Sequence, residues 1–205
     1  MQKNNIDKIK EISHFLDRLN PVEALDILHF MRIQFADNLK EISEEIFRKY
    51  KEKLDSLSDY RGVYLILMVD YVGDAILYVG KTSGKSKTSG LRFRLRDHTK
   101  LLGKTPLTLF IPNWWIKRMY PIPISNADKA KELEEALWAF IIKNAKNKSH
   151  FHSLEELEGE ISKVINKYIA LVGSLNYVEL QTNKELRKPF TLKCPPAGQP
   201  RYLVK

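Results

Sequence analysis

Residues 62–81 read GVYLILMVDYVGDAILYVGK, and the fold is decided by this stretch. It contains two short apolar runs rich in β-forming residues, VYLILMV at 63–69 and AILYV at 75–79. A turn-like link at 70–74, with a glycine inside it, separates the two runs. Such a pair of runs is typical of a β-hairpin. We therefore expect two paired strands here.

The segments around the hairpin predict further elements. Leucines at near-helical spacing indicate a helix after the hairpin, and capping-box patterns precede two later helices. The expected elements are a polar loop at 83–90, a helix at 91–101, a strand near Trp115–Ile122, a helix at 127–143, a loop at 143–152, a helix from Ser153 to about Val172 and a strand near Tyr177–Leu180. Together they predict an α/β protein of the α+β type, in which helices flank a small mixed or antiparallel three-stranded sheet.

Three regions of the chain differ in composition and in the spacing of their apolar residues. Residues 1–58 have apolar residues at helical spacing and predict a helical N-terminal arm, a packing or dimerising element. Residues 59–182 form the expected core domain with an added helix. Residues 183–205 are basic and rich in proline, which predicts a C-terminal tail. If the arm dimerises, the protein is a homodimer.

Composition limits the compartment and the partner. The 205 residues carry a net charge of +9, and the pI is near 9.4, which favours a polyanionic partner such as DNA. The single cysteine, Cys194, excludes an internal disulfide and a cysteine-based zinc site. The N-terminus has no apolar signal-peptide region, and no run of about 18 apolar residues exists. We expect a cytoplasmic protein without a membrane partner.

Several residues with suitable chemistry follow one another closely. Tyr64 lies near the start of the first run and Tyr78 near the end of the second, so a hairpin can bring two phenols side by side, with Lys81 nearby. Arg94 and His98 are four positions apart and share a face of a helix. Phosphodiester hydrolysis needs an activated water, cations on the phosphate and usually a metal. Taken singly, the tyrosines are ordinary packing residues and the arginine a solvated basic residue.

In combination, these motifs resemble the GIY-YIG nuclease superfamily. GVY at 62–64, YVGK at 78–81, RLRDH at 94–98 and EEALW at 134–138 occur in the order that the family shows. The resemblance covers roughly residues 60–147, and valine replaces isoleucine in the first two motifs. It implies a nuclease fold and divalent-metal-dependent cleavage.

The resemblance also implies roles for individual residues. Tyr64, one of the two motif tyrosines, would activate the attacking water, and Tyr78 is the other. Arg94 would hold the scissile phosphate, and Lys81 and His98 would assist. Glu135 would be the sole carboxylate ligand of Mg²⁺ or Mn²⁺.

Other positions are more open. Glu134 is the alternative to Glu135. An asparagine of the family's site matches Asn147, with Asn144 and Asn176 as rivals. Basic residues around the helix at 91–101 are candidates for contacting nucleic-acid phosphates, while a solvated basic surface is the plainer interpretation. They are Lys85, Lys87, Arg92 and Arg96. The pair His150 and His152 lacks a third zinc ligand.

The sequence therefore predicts a divalent-metal-dependent endonuclease. It would hydrolyse phosphodiester bonds of double-stranded DNA by a one-metal mechanism, most simply as a restriction-type enzyme. The competing hypothesis is a catalytically inactive GIY-YIG-like module that only binds nucleic acid.

Overall fold

The computed structural model describes residues 53–57, 60–70, 72–82, 89–99, 115–169, 175–180 and 185–195. Within these ranges six strands form one sheet in the order β4-β6-β2-β1-β3-β5. The strands are β1 Gly62–Val69, β2 Ala75–Lys81, β3 Ile116–Pro123, β4 His150–Phe151, β5 Val178–Glu179 and β6 Phe190–Lys193. The helices that flank the sheet are α1 Leu91–His98, α2 Ala127–Lys146 and α3 Leu154–Asn166.

The expected hairpin is confirmed. β1 and β2 pair antiparallel, with Val69 opposite Ala75 and Val63 opposite Lys81. The link between them is closed by Asp70, whose carboxylate accepts hydrogen bonds from the backbone N–H groups of Val72 and Asp74, both at 2.9 Å. Aspartate favours turns because its short side chain can bond its own backbone in this way.

Both faces of the central strand are covered, which explains why its sequence is apolar throughout rather than alternating. One face of β1 places Val63, Leu65 and Leu67 in a core with α2 and α3. The opposite face places Tyr64, Ile66 and Met68 in a second core with α1 and β3. The sheet is therefore the middle layer of three.

The prediction of a three-stranded sheet was wrong, because the sheet has six strands. β4 lies in a segment predicted as a loop, and β6 lies in the segment predicted as a tail. β6 pairs in parallel with β2, through Ala75 opposite Leu192. β5 lies in the segment expected near Tyr177–Leu180 and pairs with β3. These strands have two to four residues and join partners far away in sequence, so no local pattern marks them as members of this sheet.

Helix starts follow the capping patterns. The side chain of Asn126 accepts from the backbone N–H of Lys129 at the start of α2, and that of Ser153 accepts from Glu156 at the start of α3. α3 ends at Asn166, before the expected end near Val172.

Residues 1–52 of the predicted arm and the loop at 83–88 lie outside the described residues, whereas Leu54 packs in the same core cluster as Tyr64. None of the helices described is long and apolar enough to cross a membrane.

Candidate functional site

The cluster of predicted site residues lies beside the end of β2, which is open on one side. β6 pairs with β2 only at Ala75 and Ile76, so in the described part of the chain no strand pairs with Tyr78 or Lys81 on that side. α1 approaches from one face of the sheet and α2 from the other. Side chains from both helices can therefore meet Tyr78 at this edge.

The glycines of the two motifs are required by what lies next to them. Gly80 stands opposite Tyr64 in the β1–β2 register. A Cβ at Gly80 would lie 2.4 Å from the Tyr64 hydroxyl oxygen, because the phenol lies across this position. A Cβ at Gly62 would lie 2.0 Å from the carbonyl oxygen of Ile122. Gly80 thus makes room for the site, while Gly62 makes room for the β1–β3 pairing.

Tyr64 and His98 form a buried hydrogen-bonded pair. The Tyr64 hydroxyl lies 2.9 Å from Nε2 of His98, and both residues are at most 1% exposed. Burial, together with the positive charge of Arg94, lowers the pKa of His98 to about 3. The imidazole is therefore neutral at neutral pH. Its hydrogen bond fixes the orientation of the phenol.

Tyr78 lies against the same pair. Its ring centroid is 6.3 Å from that of Tyr64 and 5.4 Å from that of His98. Unlike Tyr64, Tyr78 is partly exposed, so it is the more accessible of the two tyrosines. On its other side it meets the Trp138 ring edge-on, with centroids 5.9 Å apart.

Both phenols are held in their neutral form. Burial raises the pKa of Tyr64 far above its usual value of 10 and also raises the pKa of Tyr78. The charge of Glu134 raises both pKa values as well, whereas the charge of Arg94 lowers both. Arg94 is thus a cation that acts on both tyrosines and on His98, which follows it by one turn of α1.

Glu134 is the carboxylate that faces this cluster. Its Oε2 lies 2.7 Å from Nζ of Lys81, and its side chain is 12% exposed. Glu135 points elsewhere, since its carboxylate lies 4.0 Å from Lys131 on its own helix and its side chain is 39% exposed. The structure therefore brings Glu134, the alternative in the sequence analysis, to the tyrosines and not Glu135.

The sequence contained a signal for Glu134. Four residues later on the helix lies Trp138, which is buried against Tyr78. The residue four positions after Glu135 is Ala139, which is exposed. The buried stripe of α2 therefore favours Glu134. Sequence reasoning also missed Trp138 as a neighbour of the site.

The structure does not bring the candidate asparagines to the cluster. Asn147 is the exposed C-cap of α2. At about 1.5 Å per helical residue it lies roughly 20 Å along the axis from Glu134. Asn144 donates its amide to the carbonyl of Phe140, and Asn176 is exposed before β5.

The candidate phosphate-binding residues are only partly described. Lys85 and Lys87 lie outside the described residues. Arg92 is partly exposed on α1, whereas Arg96 pairs with Asp55 at 3.3 Å. Arg96 therefore forms a salt bridge within the protein.

In the described ranges, no group of three or more histidine, cysteine or acidic side chains is arranged so that it could hold a metal ion. His150 bonds Thr191 through Nδ1 at 3.2 Å. Glu134 is thus a single carboxylate among cations and phenols. Such a site suits a cation that keeps most of its water ligands.

Comparison with known proteins adds no relative. No protein-family model, curated protein or solved structure matches this chain. The resemblance to GIY-YIG nucleases consequently rests on the sequence motifs alone.

Proposed function

We propose that this protein is a divalent-metal-dependent endonuclease that hydrolyses phosphodiester bonds in DNA. The observation that supports this most is the convergence of Tyr78, Arg94 and Glu134 with the Tyr64–His98 pair beside the open end of β2. These residues come from two neighbouring strands and from two helices that pack on opposite faces of the sheet. They offer a cation for the phosphate, a phenol as the candidate base and a carboxylate for a metal, and these are the roles that phosphodiester hydrolysis requires.

Arg94 is the proposed phosphate ligand. Its guanidinium interacts with both phenols and carries a fork of donors that fits two phosphate oxygens. A phosphate held there lies next to Tyr78, the accessible phenol. Arg94 also offsets the negative charge that grows on the phosphorus oxygens as water attacks.

Tyr78 is the proposed general base, in place of Tyr64. Tyr64 is 1% exposed and hydrogen-bonded to His98, so it is placed to position Tyr78 rather than to meet water. Tyr78 has solvent access, but its raised pKa leaves it protonated at neutral pH. One cause of that rise is the negative charge of Glu134. Neutralising Glu134 lowers the pKa of Tyr78, so a larger fraction of Tyr78 loses its proton to solvent and becomes the phenolate that can accept a proton from the attacking water.

Glu134 fits a hard divalent cation such as Mg²⁺ or Mn²⁺. It offers carboxylate oxygens at a partly buried position that already holds a cationic group. Mg²⁺ typically binds through one or two carboxylates and keeps several waters. When bound, the cation would supply Lewis-acid stabilisation of charge on the leaving oxygen.

Cleavage of supercoiled plasmid tests the proposal. The wild-type protein with Mg²⁺ is expected to cut, and EDTA is expected to stop the reaction. Tyr78→Phe should lose most activity, whereas Tyr60→Phe, at an exposed tyrosine before β1, should keep it. Full activity in Tyr78→Phe would exclude Tyr78 as the base. Discrete fragments from a long DNA would support the restriction-type hypothesis, and a smear would refute it.

One observation favours a second candidate, a module that binds nucleic acid without cutting it. Tyr64 and His98 are buried from solvent, and neither phenol ionises readily in the metal-free protein. Tight DNA binding without cleavage, for any tested DNA and with either Mg²⁺ or Mn²⁺, would establish that candidate.

A further inference from the structure

We propose that Lys81 is a built-in competitor for the metal: its ammonium occupies Glu134 until a divalent cation displaces it. The inference rests on the proposed function, because it takes Glu134 as the metal ligand. It goes further by assigning Lys81 a role in controlling metal affinity.

The geometry places the ammonium where a metal would bind. Nζ of Lys81 lies 2.7 Å from Oε2 of Glu134, the distance of a charge-assisted hydrogen bond. Lys81 is the last residue of β2, and Glu134 lies on α2, so the contact joins a strand end to a helix. Two cations repel each other at one carboxylate, so the ammonium must move away before a divalent cation binds well.

The two side chains differ in their exposure, and this difference permits the exchange. The Glu134 side chain is 12% exposed and needs a cationic partner, because a poorly hydrated carboxylate is costly without one. The Lys81 side chain is 38% exposed, and its flexible stem can carry the ammonium into water. Lysine therefore satisfies Glu134 in the metal-free protein without holding it permanently.

Metal binding to variants tests this directly, with no need for activity. Mn²⁺ is titrated into each protein in the absence of DNA, and the loss of the free-ion electron paramagnetic resonance signal gives the Kd. Lys81→Met keeps the length of the stem but removes the charge. We expect it to bind Mn²⁺ about two- to fivefold more tightly than wild type, the gain that follows from losing a partly exposed ion pair.

Two further variants give a graded comparison. Lys81→Arg keeps the charge and can grip the carboxylate with two donors, so it should bind Mn²⁺ no more tightly than wild type. Lys131→Met removes the cation beside Glu135 on the same helix and should leave the Kd unchanged. Thermal melts of each variant confirm that the proteins are folded.

The outcomes separate this inference from the proposed function. If Glu134→Gln loses Mn²⁺ binding but Lys81→Met binds like wild type, the competition is refuted while the metal site stands. If Glu134→Gln binds Mn²⁺ as wild type does, the metal site itself is refuted, and the competition with it. Tighter binding in Lys81→Met and lost binding in Glu134→Gln together support both.

Discussion

At the scale of single residues, Gly80 connects the sheet to the site. The Tyr64 phenol lies across Gly80, where a Cβ would come within 2.4 Å of the hydroxyl oxygen and 2.5 Å of the ring carbon that bears it. The Tyr64 hydroxyl is also hydrogen-bonded to His98, so the ring cannot shift without breaking that hydrogen bond. The glycine of the YVG motif therefore has a packing reason that is independent of any chemistry.

Gly80→Ala is expected to destabilise the protein by about 1–3 kcal/mol, the usual cost of overpacking. It should also reduce DNA cleavage, because the displaced Tyr64 no longer positions Tyr78. Urea unfolding gives the free energy of unfolding. The control is Gly159→Ala within α3, where nothing lies within 4 Å of the added methyl. That variant should gain roughly 0.5–1 kcal/mol from helix propensity. Wild-type stability in Gly80→Ala would contradict the packing described here.

His98 links stability to pH. Burial and the positive charge of Arg94 lower its pKa from 6.5 to about 3, so the folded protein excludes a proton there that the unfolded chain binds below pH 6.5. The free energy of unfolding is therefore not reduced by His98 above pH 6.5. It falls progressively as the pH drops from 6.5 towards 3, because only the unfolded chain takes up the proton. Between pH 6.5 and pH 5, wild type should lose roughly 1.5 kcal/mol more than His98→Gln, because the slope reaches about 1.4 kcal/mol per pH unit only once the unfolded chain is fully protonated there. Urea unfolding at both pH values checks this, and parallel losses in the two proteins would show that His98 is not buried.

At the scale of elements, β6 is held by charge as well as by its ladder. Nζ of Lys193 lies 2.7 Å from the buried carboxylate of Asp70 and 3.1 Å from that of Asp74. Although burial lowers the pKa of Lys193, its hydrogen bonds to the two aspartates outweigh that effect and raise the pKa. The backbone N–H of Thr191 donates to Asp74 as well. The hairpin turn is thus the anchor of the C-terminal strand.

Lys193→Met is expected to cost about 1–2 kcal/mol, because it leaves the buried Asp70 with backbone donors alone. The value is below that of a fully buried pair, since the Lys193 side chain is 38% exposed. Lys163→Met, which removes an exposed pair with Glu160 on α3, should change stability by less than about 0.5 kcal/mol. Equal effects of the two substitutions on the free energy of unfolding would mean that Lys193 does not anchor β6.

At the scale of the whole molecule, local sequence patterns predicted individual strands and helices but not how the short strands pair into the sheet. The hairpin and the starts of α2 and α3 follow from apolar runs and capping residues, which act within a few positions. The pairing of β2 with β6 joins residues more than a hundred positions apart and depends on Asp70, Asp74 and Lys193 meeting in space. A proline-rich segment containing a four-residue strand gives no local sign of that contact.

The candidate site was predictable to a similar degree. Order and spacing indicated Tyr64, Tyr78, Arg94 and His98, because motif positions fix them on a hairpin and on one face of a helix. The choice between Glu134 and Glu135 depended on which face of α2 packs towards β2, and the position of Trp138 four residues after Glu134 was the one sequence signal for it. The burial of Tyr64, which shifts the proposed base to Tyr78, also follows from the three-layer arrangement and not from the motif.

The central claim is that Glu134, beside Tyr78 and Arg94, serves a metal-dependent nuclease site. The most direct test incubates supercoiled plasmid and Mg²⁺ with wild type, Glu134→Gln and Glu135→Gln, a matched pair of neighbouring substitutions on one helix. We predict that wild type and Glu135→Gln cut the plasmid and that Glu134→Gln leaves it supercoiled. Cleavage by Glu134→Gln at the wild-type rate would contradict the account, as would loss of cleavage in Glu135→Gln alone.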